Sequence, residues 1–151
     1  MKQLLFNTQQ EWAGFFLRCI LGGVMLPHGA QKLFGIFGGF GYKVTLNFFT
    51  GSLKLPWIIS FLVIMIEFFG SIGMIMGFAT RVWAVAFIAI MIGAIVTTNW
   101  QHGLFMNWFG NQSGEGFEYH LLVIGMCLAL MFTGSGMFSI DGIISKSIEW
   151  K

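Results

Sequence analysis

The sequence predicts an all-α fold, a four-transmembrane-helix bundle with two aromatic, glycine-rich interfacial connections on one face. Three observations predict it. Of 151 residues, 56% are hydrophobic and only 9% are charged, against roughly 25% charged in an average soluble domain. Four nearly uncharged apolar runs approach the length needed to cross a hydrocarbon layer of about 30 Å. Tryptophans stand at the ends of these runs, at the headgroup level that indole rings prefer. So few charged side chains cannot cover a water-soluble globule, which disfavours a cytosolic enzyme or a disordered tail. A net charge of +2 supplies no basic surface for nucleic acid, so the bilayer is the first expected partner.

The elements follow in order. The first helix covers about residues 12–28 (WAGFFLRCILGGVMLPH), the second 57–79, the third 82–100 and the fourth 119–138. These runs are apolar on every side and rich in glycine and methionine, whereas strands of a membrane barrel alternate polar and apolar positions. Trp12, Trp57, Trp83 and Trp100 fall at the ends, and the separation of Trp83 and Trp100 amounts to roughly 25 Å of helix. The polar stretch before Trp12 is not followed by a small-residue cleavage site, so a removable signal peptide is not expected. Four crossings put both termini on one side. Lys2, Arg81, Lys146 and Lys151 share that side and Lys32, Lys43 and Lys54 the other, which favours cytoplasmic termini in a bacterial inner membrane. Residues 1–151 thus read as a single membrane domain. The connections from Gly29 to Leu55 and from Gly103 to Glu118 combine glycine with many aromatics, a composition suited to segments folded over one end of the bundle. Their shared His-Gly and Phe-Gly elements resemble a duplication, although a composition this biased produces such matches unaided.

Ionisable groups within the spans are the candidate functional residues, because each costs at least about 2.5–3.5 kcal/mol in hydrocarbon. Arg18 stands roughly 9 Å in from the terminal side and Glu67 roughly 15 Å in from the opposite side at helical rise. Their depths allow a buried Arg18–Glu67 pair, either as a structural pin or as a tuned carboxylate in a substrate cavity. Glu67, Gly70, Met74, Gly77 and Arg81 form one stripe, and Arg18, Leu21, Met25, His28 and Lys32 another, both at helical spacing. All three histidines, His28, His102 and His120, map to the membrane face opposite the termini, together with Lys32 and Glu118. A lidded polar vestibule is therefore expected there, with interfacial or helix-capping histidines as the alternative. No HxxxH or HxxE spacing encodes a metal site. Cys19 and Cys127 are isolated, which provides no disulfide framework, and the methionines read as core filler.

Three segments then carry a family resemblance: Arg18-x3-Gly22 followed by PHGAQKLFGIFGGFG (Pro27 to Gly41), EFFGSIGMIMGFATR (Glu67 to Arg81), and GFEYHLL through GSGMFSID (Gly116 to Asp141). In this combination and order the chain resembles the DoxX family over about residues 11–145. The resemblance implies a membrane subunit linked to oxidoreductase complexes that handle quinones or small sulfur compounds. It also implies Arg18, His28, Lys32, Glu67, Arg81 and Glu118 as matching polar positions. No haem, flavin or iron–sulfur signature is present, so electrons are expected from a partner redox subunit, with quinone as the implied cofactor or substrate. On this reading Glu67, Glu118 and His120 are the proton-handling catalytic candidates, and Arg18, His28, Lys32, Arg81 and His102 bind substrate. A relative in animals resembles an assembly chaperone, so a non-enzymatic assembly factor or scaffold stays open, as does a small-solute carrier working as a homo-oligomer.

Overall fold

Each apolar run of the sequence is a helix in the structure, a computed structural model that describes Thr8 and residues 11–149. Lys2 and Lys151, which entered the charge count, lie outside the described residues. Helix α1, Trp12–Phe34, starts after an extended Glu11 and stops at Gly35, whose φ of 75° lets its N–H close the last turn on Gln31 O at 3.2 Å. It therefore runs past the expected end at His28, because AQKLF contains no breaker and Pro27 is accommodated inside the helix. Helix α2, Gly41–Asn47, passes into a π turn at Phe48–Ser52 and supplies the first connection with structure of its own.

Helix α3, Trp57–Met76, contains a second π turn at Ile66–Gly70 and ends at Gly77, with φ of 63°. Helix α4, Thr80–His102, carries a third at Ile95–Asn99. Helix α5, Glu118–Thr133, ends at Gly134 rather than at the expected Phe138, because Gly134 and Gly136 both take positive φ. The sequence reading did not resolve a separate helix α6, Ile140–Glu149. The described residues contain no strand. By length and composition α1, α3 and α4 can each cross a membrane. Helix α5 is apolar and has 16 residues, about 24 Å, shorter than the other three, and the loop that follows it reaches the end of the bundle where Arg18 lies.

Helix α1 packs between α3 and α5, and α4 lies along α5. Leu21, Met25, Met74, Phe87, Met91, Val123, Cys127 and Leu130 meet in the core. The outer surface is apolar as well, with Ile20, Val24, Ile58, Val85, Ile92, Leu122 and Phe132 exposed, as expected of a lipid-facing perimeter. Close helix contact needs glycine at the α1–α3 crossing, where a Cβ on Gly29 would sit 2.6 Å from Phe68 N.

The end of the bundle near the termini is closed by a polar knot that corrects one expectation. Arg18, 1% exposed, does not pair with Glu67. Its guanidinium donates to Ser135 O at 2.7 Å, Met137 O and Phe138 O at 2.8 Å, Met74 O at 3.3 Å, and Ile75 O. It thereby satisfies carbonyls at the C-terminal end of α3 and in the loop after α5, which lack intrahelical donors. The physical reason is register. Gly29 crosses α3 beside Glu67, so Arg18 lies roughly 16 Å away along α1, beyond the reach of its side chain. In the same knot Asp141 caps α4, accepting from Ala79 N at 2.7 Å and Thr80 N at 2.9 Å. Arg81 also belongs to this end, with Nε donating to Met131 O at 2.8 Å.

Candidate functional site

At the opposite end the helices part around a cavity of about 600 Å³, within the range of small-molecule sites. Helix α1 contributes Met25, His28 and Lys32, and α5 contributes Tyr119 and His120. Helix α3 contributes Glu67 together with Ile59, Leu62, Val63 and Ile66. Helix α4 contributes mainly small residues, among them Ala86, Ala89, Gly93 and Ala94. Phe48, Phe49, Leu53 and Leu55 of the first connection close over it, while Met106 and Glu115 approach from the second. Both aromatic connections thus cover the same end, as the composition suggested.

Polar groups are concentrated on one side. Lys32 Nζ lies 2.6 Å from Glu67 Oε2, with Glu67 buried and Lys32 only partly so. This contact is an ion pair by distance, since Glu67 Oε2 has no partner in hydrogen-bond geometry among the described residues. Local backbone structure presents the carboxylate: Glu67 stands in the π turn of α3, where Ser71 Oγ donates to the Glu67 carbonyl oxygen. Single π turns inside α-helices recur at functional positions because they re-aim one side chain without ending the helix. Lys32 stands in the last turn of α1, from which its ammonium reaches Glu67. The Tyr119 hydroxyl donates to Met25 Sδ at 3.3 Å, and the His28 and Tyr119 rings are 6.1 Å apart. His120 Nδ1 is buried without a hydrogen-bond partner among the described residues.

The structure divides the residues singled out from the sequence into three groups. His28, Lys32, Glu67 and His120 share the cavity wall. His102 and Glu118 lie at the same end but serve the second connection. His102 Nδ1 is 3.2 Å from Ser113 Oγ, and Glu118 Oε1 accepts from Met106 N at 3.0 Å and from Trp108 Nε1 at 3.3 Å. Arg18 and Arg81 are at the far end, bonded to carbonyls. Neither lines the cavity, and both guanidinium groups donate to carbonyls at helix ends. Tyr119 and Glu115 were not singled out from the sequence. Tyr119 was hidden beside His120 in an apolar run, and Glu115 lay in a loop whose fold composition does not encode. Among the described residues no group of three His, Cys, Asp or Glu side chains is arranged to hold a metal.

This arrangement can take a mostly apolar molecule with one polar end, offering it ammonium and imidazole donors and a carboxylate. Residues 13–100 match the DoxX family model. The chain is similar to "Putative oxidoreductase CatD" of Bacillus subtilis (strain 168), 34% identical over 140 residues that cover 93% of this chain and 92% of that protein. No solved structure matches. The apolar helices, the order of the matched segments and the extent of both matches lead to one conclusion: the chain belongs to the DoxX family.

Proposed function

We propose that this chain is a subunit of a membrane oxidoreductase of the bacterial inner membrane, with both termini cytoplasmic, and that it binds a quinone in the cavity between α1, α3, α4 and α5. The observation that carries this reading is a set of polar groups lining one largely apolar chamber: a Lys32–Glu67 ion pair and, on the same cavity, the Nδ1 of His120, which has no hydrogen-bond partner among the described residues. A quinone has carbonyl oxygens that only accept, matching the Lys32 ammonium and imidazole N–H groups, on a ring that suits the apolar walls. Its reduction consumes two electrons and two protons. A redox partner supplies the electrons, since the chain has no motif for a redox centre of its own. Glu67 and His120 hold and exchange the protons at the carbonyl oxygens, and Lys32 stabilises negative charge developing there. His28 and Tyr119 line the same wall and set the head's orientation.

Equilibrium binding of menadione, a quinone head without a long tail, to the purified protein in lipid nanodiscs tests this reading. Wild-type protein should bind it saturably. Glu67→Gln and His120→Ala should each weaken binding about tenfold, equivalent to about 1.4 kcal/mol. Absence of saturable binding, or unchanged affinity in both variants, would refute the reading.

A further inference from the structure

The chamber has two unlike walls. Its titratable groups on the helices come from α1, α5 and Glu67 of α3, whereas the facing wall is built from the N-terminal half of α3 and the later turns of α4, where the hydroxyls of Thr97 and Thr98 donate back to Gly93 O and Ala94 O. Those two helix segments do not close on each other. The C-terminal part of α3 packs against α4, but Trp57–Met65 makes almost no contact with it. The gap lies at membrane depth. Ile59 and Leu62 of α3 are 44% and 41% exposed, although they line the cavity. Across from them Ala89 and Gly93 are exposed as well, and a Cβ added at Gly93 would meet nothing within 4 Å. Gly93 is roughly 20 Å along α4 from Thr80, well inside a hydrocarbon layer of about 30 Å. On the water side, Phe48, Phe49, Leu53 and Leu55 of the first connection extend over the chamber, with Met106 and Glu115 of the second.

We infer that the α3–α4 gap is a lateral port through which a long-chain lipid quinone enters from the bilayer, its head against Lys32 and Glu67 and its tail lying between Ile59, Leu62, Ala89 and Gly93. The inference rests on the quinone reading above and deepens it. The ligand is a membrane-borne amphiphile, not a water-soluble acceptor. The small residues of α4 leave room for a chain of methylene or isoprenoid width, and the exposed faces of Ile59 and Leu62 supply its apolar contacts. A tail in the gap stays in hydrocarbon throughout, so it reaches the site without an aqueous step.

Gly93→Trp tests the port because an indole placed there would occupy the gap without displacing backbone. Two probes are compared in nanodiscs: menadione and a decyl-substituted naphthoquinone. Each probe is compared between wild-type and variant protein, so its partition into lipid cancels. The expected result is at least a tenfold loss of affinity for the decyl compound and less than a threefold change for menadione. Equal losses for the two probes, or no loss for either, would overturn the lateral port while leaving the head site standing. Failure of the wild-type protein to bind menadione or the decyl compound would instead remove the quinone reading and this inference with it. Should Gly93→Trp not fold, as judged by circular dichroism and size exclusion, Gly93→Leu fills the same space with a smaller group, and a selective threefold loss for the decyl compound is expected. Dimerisation that Gly93→Trp abolishes, without any selectivity between the probes, would assign the gap to a second copy of the chain and overturn the proposal.

Discussion

Replacing Arg18 with methionine keeps an apolar stem of similar length and removes every donor from the knot near the termini. Five carbonyls accept from the guanidinium. Met74 O retains a second donor, the Gly77 N–H at 3.0 Å, so four carbonyls, in buried or partly buried bonds, are left without the donor they have now. At about 1 kcal/mol for each group left without its donor, the loss is about 4 kcal/mol, close to the 3–5 kcal/mol typical of removing one partner from a buried ionic contact. For a chain of this size, about 4 kcal/mol corresponds to a fall in Tm of roughly 8–16 °C. Arg18→Lys should lose less, because an ammonium has three donors and can satisfy part of the cluster. Thermal unfolding of the protein in mild detergent, followed by circular dichroism, measures both. A Tm within about 2 °C of wild type, combined with at least a tenfold loss of menadione affinity, would show that Arg18 acts on the ligand and would refute the structural role assigned to it.

Three further outcomes follow from contacts elsewhere. Asp141→Ala removes the acceptor for Ala79 N–H and Thr80 N–H and should cost about 1–2 kcal/mol, the range for losing a helix N-cap; denaturation in graded SDS checks it, with Asp141→Asn expected to recover part of the loss. Glu118→Ala releases the amide of Met106 and the indole of Trp108, so limited proteolysis should cut the second connection at least several-fold faster, while Tm changes little because the segment is exposed. Gly29→Val places a branched side chain where a single Cβ already comes within 2.6 Å of Phe68 N, and it should lower the yield of folded protein sharply, whereas Gly23→Ala, with open space at its Cβ, should not.

Much of the fold was legible because membrane burial writes itself into composition. Apolar runs and flanking tryptophans located the helices, and the end shared by His28 and His120 could be read from which helices finish or begin there. Three features could not be read, for different reasons. The partner of Glu67 depends on the relative axial shift of α1 and α3, and that shift is set by the Gly29 contact with Phe68 rather than by where each apolar run begins. Assuming that both helices start at the interface places Arg18 within reach of Glu67, and the apolar run ends at His28 although Lys32 continues its stripe, whereas α1 in fact continues to Phe34. The π turn that presents Glu67 leaves no pattern in IEFFG, since the extra residue per turn is imposed by packing. The polar knot draws almost entirely on backbone carbonyls, which have no letters in a sequence; GSGMFSID could be recognised as distinctive but not as the site that receives Arg18.

That knot bears on the order in which the protein can be made. Arg18 emerges early from the ribosome, yet Ser135, Met137 and Phe138, which accept from it, are among the last segments synthesised. Until they arrive, the first inserted helix holds a cation with few of its final acceptors, and hydrocarbon tolerates such a group only by drawing in water or pulling the helix toward the surface. Chains interrupted before Ser135 would keep all their long helices and still lack a settled first span.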